Sequence, residues 1–138
     1  MFQKLIIYCL QMTTKLLLAL NNWATPILVS YTLVLTIFSL VHLSDMPSIG
    51  YSFDDKIYHG LAYFVFTLIA YNFFRQKRIA NAIVIAVVSV SVFGMVIEVL
   101  QYTLTSYRTL DSYDILANTF GALISAVLLK FLNNTKLK

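Results

Sequence analysis

Charged residues are scarce in this sequence, where they make up 12% of the 138 residues. Soluble globular domains contain about 25% Asp, Glu, Lys and Arg, so the chain has too little charge to cover a surface in water. In addition, 59% of the residues are hydrophobic, and they form long blocks rather than a helical or strand period. These features exclude an ordinary soluble domain and indicate that lipid is the solvent.

Cysteine and the signatures of familiar enzymes are also missing. The single cysteine, Cys9, excludes an internal disulfide framework. The sequence contains no GxSxG, HExxH, Walker or GxGxxG motif and no paired cysteines for zinc. We therefore expect no metal and no cofactor, and an enzyme, if the protein is one, would be of a less familiar kind.

The net charge of +4 could indicate nucleic acid as a partner. The basic residues do not form a patch with interleaved aromatic side chains, however, so we expect no nucleic acid binding. Their distribution instead predicts membrane topology, as described below.

Four apolar blocks are long enough to cross a bilayer. Each has about 18–22 residues, which is sufficient for about 30 Å of hydrocarbon at 1.5 Å per residue. The predicted spans are residues 24–43, 57–74, 79–100 and 115–132. Proline occurs in only one of them, at Pro26, in the opening turn of the helix where it is tolerated.

The first 22 residues are different, because Lys4, Gln11 and Lys15 interrupt their apolar pattern. This favours an amphipathic helix on the membrane surface (residues 1–22) over a fifth span. The predicted fold is therefore a single-domain, all-α membrane protein, with a compact bundle of four transmembrane helices and an N-terminal amphipathic helix.

Basic and acidic residues segregate across the predicted spans. One side has eight basic residues and no acidic ones: Lys4, Lys15, Arg75, Lys77, Arg78, Lys130, Lys136 and Lys138. The other side has all six acidic residues and two basic ones. The positive-inside rule then predicts that both termini are cytoplasmic.

Polar residues of three spans converge at the opposite, outer side. Measured along each helix from its basic end, His59 and Asp114 lie at about 24 Å and Glu98 at about 28 Å. Lys56, His59 and Tyr63 are separated by three and four positions, so they share one helical face. The sequence thus predicts a polar pocket that opens at the outer face.

Small and polar residues also recur at helical spacing on the third and fourth spans. These two stripes are Ser91, Gly94, Glu98, Gln101 and Thr105, and Asp111, Asp114, Asn118, Gly121 and Ser125. Such stripes let helix backbones approach closely in a membrane and let polar groups find partners. We expect both to face the interior of the bundle, and we expect Asp111 or Ser112 to cap the fourth helix.

Three motifs resemble the motif blocks of VanZ-like membrane proteins in order and spacing: DKIYHGLAY (55–63), EVLQ (98–101) and RTLDSYDILANTFG (108–121). The matching residues are Asp55, Lys56, His59, Tyr63, Glu98, Gln101, Arg108, Asp114, Asn118 and Gly121. Ser125 stands where a second glycine is often found. That family is named for a protein associated with resistance to the glycopeptide teicoplanin. The resemblance implies a cell-envelope protein of the bacterial cytoplasmic membrane.

Three functions fit these residues. The favoured hypothesis is a protein that binds an anionic membrane lipid or lipid-linked cell-wall intermediate, with Lys56 and Arg108 on its phosphate or carboxylate. Its predicted ligand-binding residues are Asp55, Lys56, His59, Tyr63, Glu98, Gln101, Arg108, Asp114 and Asn118. The second hypothesis is an accessory protein whose polar cluster only locks the bundle. The third is a lipid hydrolase or transferase with His59 and Glu98 as catalytic acid and base.

Overall fold

The computed structural model describes residues 23–41, 54–104 and 111–135. Over these residues it is an all-helical bundle without strands, with helices α1 (Ala24–Leu40), α2 (Asp54–Gln76), α3 (Ala82–Leu104) and α4 (Ser112–Thr135). Helices α2, α3 and α4 are long and apolar enough to cross a membrane, and α1 is a shorter apolar helix of 17 residues. The predicted all-α fold is confirmed for this part of the chain. The predicted amphipathic segment, residues 1–22, lies outside it.

The interior of the bundle contains several polar side chains, and much of its outer surface is apolar. Its buried polar side chains are Thr67, Glu98, Gln101, Asp114, Asn118 and Ser125. On the outer surface, by contrast, Leu104, Phe120 and Val127 are 68%, 65% and 71% exposed. An apolar surface of this extent is unfavourable in water and favourable in hydrocarbon. The arrangement is that of a multi-pass membrane protein.

The small-residue stripe of α4 faces the interior of the bundle, as the spacing predicts, and Gly121 contacts α2 there. Asp114, Asn118, Gly121 and Ser125 are all buried. A Cβ atom added at Gly121 would lie 2.9 Å from the carbonyl carbon of Gly60 on α2. Glycine at residue 121 therefore allows the backbones of α2 and α4 to come into contact.

Helix α1 is fixed to the other helices by aromatic packing and two hydrogen bonds. The Tyr31 ring lies 5.5 Å from that of Phe66, and its hydroxyl donates to the Ala62 carbonyl at 2.8 Å. Near the other end of α1, Gln101 Nε2 donates to the Ser39 carbonyl at 2.7 Å. That carbonyl is in the last turn, where the helix itself supplies no donor. These contacts hold the end of α1 beside the polar ends of α2 and α3.

A tight turn with a Schellman motif joins α2 to α3. The Ile79 amide donates to the Phe74 carbonyl at 3.1 Å, and the Arg78 amide donates to the Arg75 carbonyl at 3.0 Å. The left-handed position of the motif, usually a glycine, is occupied by Arg78 with φ of 55°. The antiparallel turn places the basic end of α2 beside the start of α3.

Candidate functional site

A lysine and three carboxylates form the centre of the acidic end of the bundle. Lys56 Nζ donates to Asp55 Oδ2 at 2.9 Å, to Asp111 Oδ2 at 2.7 Å and to Asp114 Oδ1. An ammonium group has three N–H donors, so all of them are engaged. We call these four residues the Lys56 cluster. It joins the start of α2 to the start of α4.

The acidic members of the cluster differ in their exposure to solvent. The Asp114 side chain is only 4% exposed, whereas those of Asp111 and Asp55 are 35% and 53% exposed. Asp111 also caps α4, because its Oδ1 accepts the Tyr113 amide at 2.8 Å. The hydrogen bonds from Lys56 and Tyr113 lower the pKa of Asp111. Asp114 is therefore the member that depends most on Lys56 for a counter-charge.

His59 links the cluster to Asn118. Its Nδ1 lies 3.1 Å from Asn118 Oδ1, and its Nε2 lies 3.8 Å from Asp114 Oδ2. Because an amide oxygen only accepts hydrogen bonds, the Nδ1 contact requires a proton on Nδ1. The ring nitrogen that faces Asp114 is Nε2. This is the atom at which His59 would exchange a proton or bind a ligand.

Asp55, His59 and Asp114 form a possible metal-binding group, since their ligand atoms all lie within 4.8 Å of one another. Imidazole and carboxylate are suitable donors for a divalent cation. The Lys56 ammonium already bonds both carboxylates, however, so a cation would have to displace it. No metal site is predicted from the sequence. The only sequence signal for this group is the four-residue spacing of Asp55 and His59 on one helix.

A cavity of about 310 Å³ lies beside the cluster, between α1, α2 and α3. Leu35, Phe38 and Ala62 give it an apolar wall. Its remaining lining is polar: Ser39, Asp55, Tyr58, His59, Tyr63 and Gln101. Such a lining, which combines apolar and polar side chains, is complementary to an amphiphilic molecule.

Tyr63 is a notable member of this lining. It is 2% exposed, yet its hydroxyl has no hydrogen-bond partner among the described residues. A buried hydroxyl without a partner is costly and is normally explained by a water or a ligand. The Tyr63 hydroxyl is therefore a candidate hydrogen-bond donor of this site.

The structure places the other predicted site residues as follows. Glu98 is buried on α3 and does not line the cavity, and the carboxylate within 4 Å of His59 is that of Asp114. The acid–base pair of Glu98 and His59 stays a prediction, with Asp114 as a second candidate partner of His59. Arg108 lies outside the described residues.

Comparisons with known proteins agree with this architecture. A model of the VanZ/LLP1 family matches residues 5–133. The chain is also similar to the uncharacterized protein C11E3.10 of Schizosaccharomyces pombe, with 30% identity over 96 residues. That alignment covers 70% of this chain and 58% of the yeast protein. No solved structure matches significantly. The match over almost the whole chain shows that this membrane protein belongs to the VanZ/LLP1 family.

Proposed function

We propose that the protein binds or handles an anionic membrane lipid, or a lipid-linked cell-wall intermediate, in the cavity beside the Lys56 cluster. The observation that carries this proposal is the mixed lining of the cavity, which contains apolar Leu35 and Phe38 as well as polar His59, Tyr63 and Gln101. Its volume of about 310 Å³ is at the lower end of the range of small-molecule sites. That space suits a headgroup, with the lipid tail outside between the helices.

The polar residues of the cavity supply different interactions. The Tyr63 hydroxyl has a donor to offer, and His59 presents Nε2. Lys56 is expected to act indirectly, because its three N–H groups are bound to carboxylates. Recognition of the anion would then depend on Arg108, whose guanidinium is suited to bidentate contact with phosphate. A role in glycopeptide resistance would follow only if the bound lipid is a cell-wall intermediate.

The alternative function, an accessory protein whose polar cluster only locks the bundle, accounts for part of the site. The Lys56 cluster and the contact of His59 with Asn118 tie α2 to α4, as a locked polar knot would. A self-satisfied knot does not account for the adjoining cavity or for the unpaired Tyr63 hydroxyl. Lipid binding explains both features.

Filling the cavity should therefore abolish lipid binding in the cavity. In Leu35→Trp the larger side chain would occupy the apolar wall, whereas Leu33→Trp would add the same bulk to the outer face of α1, where Leu33 is 57% exposed. We expect less lipid, quantified by mass spectrometry, to copurify with Leu35→Trp than with wild type and Leu33→Trp, because the lipid of the cavity is lost. Equal lipid content in the two folded variants would contradict the proposal.

A lipid hydrolase or transferase is the second candidate, because His59 lines the cavity and its Nε2 lies 3.8 Å from a buried carboxylate. Such a pair is a possible general base. Incubation with a labelled anionic lipid separates the two functions. A binding protein returns the lipid unchanged, whereas a product that is formed by wild type and not by His59→Gln would establish catalysis.

We also propose that both termini are cytoplasmic in a bacterial inner membrane, so that the cavity opens to the outer leaflet. The proposal is supported by the segregation of basic residues at one end. In a Cys9→Ser background, an impermeant maleimide should label Ser48→Cys in intact cells and Lys77→Cys only after permeabilisation. Labelling of both positions in intact cells would contradict this topology.

A further inference from the structure

A second recess lies at the end of the bundle opposite the cavity, and its residues have no role in the proposed function. It is a groove of about 900 Å³ between the end of α2, the start of α3 and the second half of α4. Arg75, Arg78 and Lys130 line it, and we call it the basic groove. Among the described residues every ion pair lies at the acidic end, and no carboxylate lies within 4 Å of these three cations.

Most of the remaining lining of the groove is apolar and continuous with the outer surface of the bundle. Val84 and Val127 line it and are 60% and 71% exposed. Tyr71 and Asn133, which also line the groove, hydrogen-bond to each other across α2 and α4 at 2.9 and 3.1 Å. The groove therefore combines unpaired positive charges with an apolar surface that faces lipid.

The backbone at Arg78 adds a further observation. Arg78 adopts φ of 55° at a position where glycine is the usual residue and a side chain is strained. The same side chain lines the basic groove. The backbone at this position would favour glycine, yet the residue is an arginine. This is consistent with a role of the Arg78 side chain in binding.

We infer that the basic groove binds the phosphate headgroup of an anionic phospholipid from the leaflet at that end. The two arginines can form bidentate hydrogen bonds to phosphate, and Lys130 adds a point charge. The exposed valines favour a lipid over a soluble phosphate, because an acyl chain would cover them. This site is separate from the cavity and does not depend on the proposed function.

Retention of a defined lipid tests the inference. Wild-type protein is incorporated into nanodiscs of phosphatidylcholine with a minor fraction of phosphatidylglycerol, released into detergent, and the retained phosphatidylglycerol is counted by native mass spectrometry. Arg78→Gly and Lys130→Gln should each reduce its affinity about fivefold. Arg78→Gly is informative because glycine relieves the left-handed strain, so loss of lipid would not reflect unfolding.

The control is Lys77→Gln, which removes the same charge one residue from Arg78. Lys77 does not line the groove, and its ammonium lies 5.8 Å from the centre of the Phe73 ring. This variant should retain phosphatidylglycerol as wild type does. In a Leu35→Trp background, in which the cavity is filled, Arg78→Gly should still reduce the retained phosphatidylglycerol. An equal loss in Lys77→Gln would show nonspecific attraction and overturn the site, as would unchanged retention in Arg78→Gly. Displacement of the lipid by inorganic phosphate alone would overturn the assignment to a phospholipid.

Discussion

Replacing Gly121 with alanine is expected to destabilise the protein by about 2–3 kcal/mol or more, because the added methyl group overpacks a close helix contact. Its Cβ would meet the carbonyl oxygen of Gly60, with the Gly60 carbonyl carbon at 2.9 Å and Cα at 3.1 Å. These are backbone atoms, so no side chain can rotate away. Helices α2 and α4 would have to separate, and the bonds of Lys56 to Asp114 and of His59 to Asn118 span the same two helices.

Gly60→Ala is the matched control for this substitution. A Cβ at Gly60 would meet only the Ala117 carbonyl oxygen at 3.6 Å, which is ordinary van der Waals contact. Alanine also favours the helix over glycine by about 1 kcal/mol, so we expect a neutral or slightly stabilising effect. Unfolding of both variants in detergent, followed by circular dichroism, measures the difference. Equal destabilisation of the two variants would contradict the conclusion that a Cβ is excluded at Gly121 and tolerated at Gly60.

The sequence predicts the helices of this protein well because lipid imposes a minimum length on every apolar block. It predicts their ends less well, since hydropathy marks the boundary of the hydrocarbon rather than the end of the helix. Helix α2 begins at Asp54, within a polar stretch that precedes the predicted span of 57–74. Conversely, α1 ends at Leu40 because Val41 is extended, with φ of −83° and ψ of 137°, although the apolar block continues to residue 43.

The sequence likewise predicts some features of the site and not others. Helical spacing identifies which residues share a face, and Asp114, Asn118 and Gly121 are buried on α4 as that spacing predicts. Spacing within one helix does not define the partner on another helix, because a small rotation of either changes which side chains meet. For this reason the sequence could place His59 and Glu98 at one level but could not show that Asp114 is the carboxylate beside His59.

Among single substitutions that remove the charge of a described lysine or arginine, Lys56→Gln should lower the free energy of unfolding most. It would leave the buried Asp114 carboxylate, and its partners Asp55 and Asp111, without the ammonium group that bonds them. Breaking a buried ion pair costs about 3–5 kcal/mol. Because the Lys56 side chain is 23% exposed, we expect a loss nearer 3 kcal/mol or somewhat less after solvent screening. Lys77→Gln, at an exposed cation, should cost less than about 1 kcal/mol.

A double mutant tests whether the loss arises from the stranded carboxylate. Lys56→Gln combined with Asp114→Asn should be more stable than the sum of the two single effects predicts, because the second change removes the uncompensated charge. Simple additivity in thermal unfolding would show that the ion pair contributes no coupling energy. It would also contradict the conclusion that the Lys56 cluster stabilises the contact between α2 and α4.

Removal of Lys56 should also allow a divalent cation to bind at the site. In Lys56→Gln the donor atoms of Asp55, His59 and Asp114, which lie within 4.8 Å of one another, would no longer be held by an ammonium group. A divalent cation such as Mn²⁺ can then replace the lost positive charge and, by binding only the folded state, raise its stability. We expect Mn²⁺ to increase the unfolding temperature of Lys56→Gln and to leave wild type and the double mutant with Asp114→Asn unchanged. Equal stabilisation of all three proteins would mean that the cation binds elsewhere. Stabilisation of Lys56→Gln alone would show that Mn²⁺ takes, in this variant, the place that the Lys56 ammonium group has in wild type.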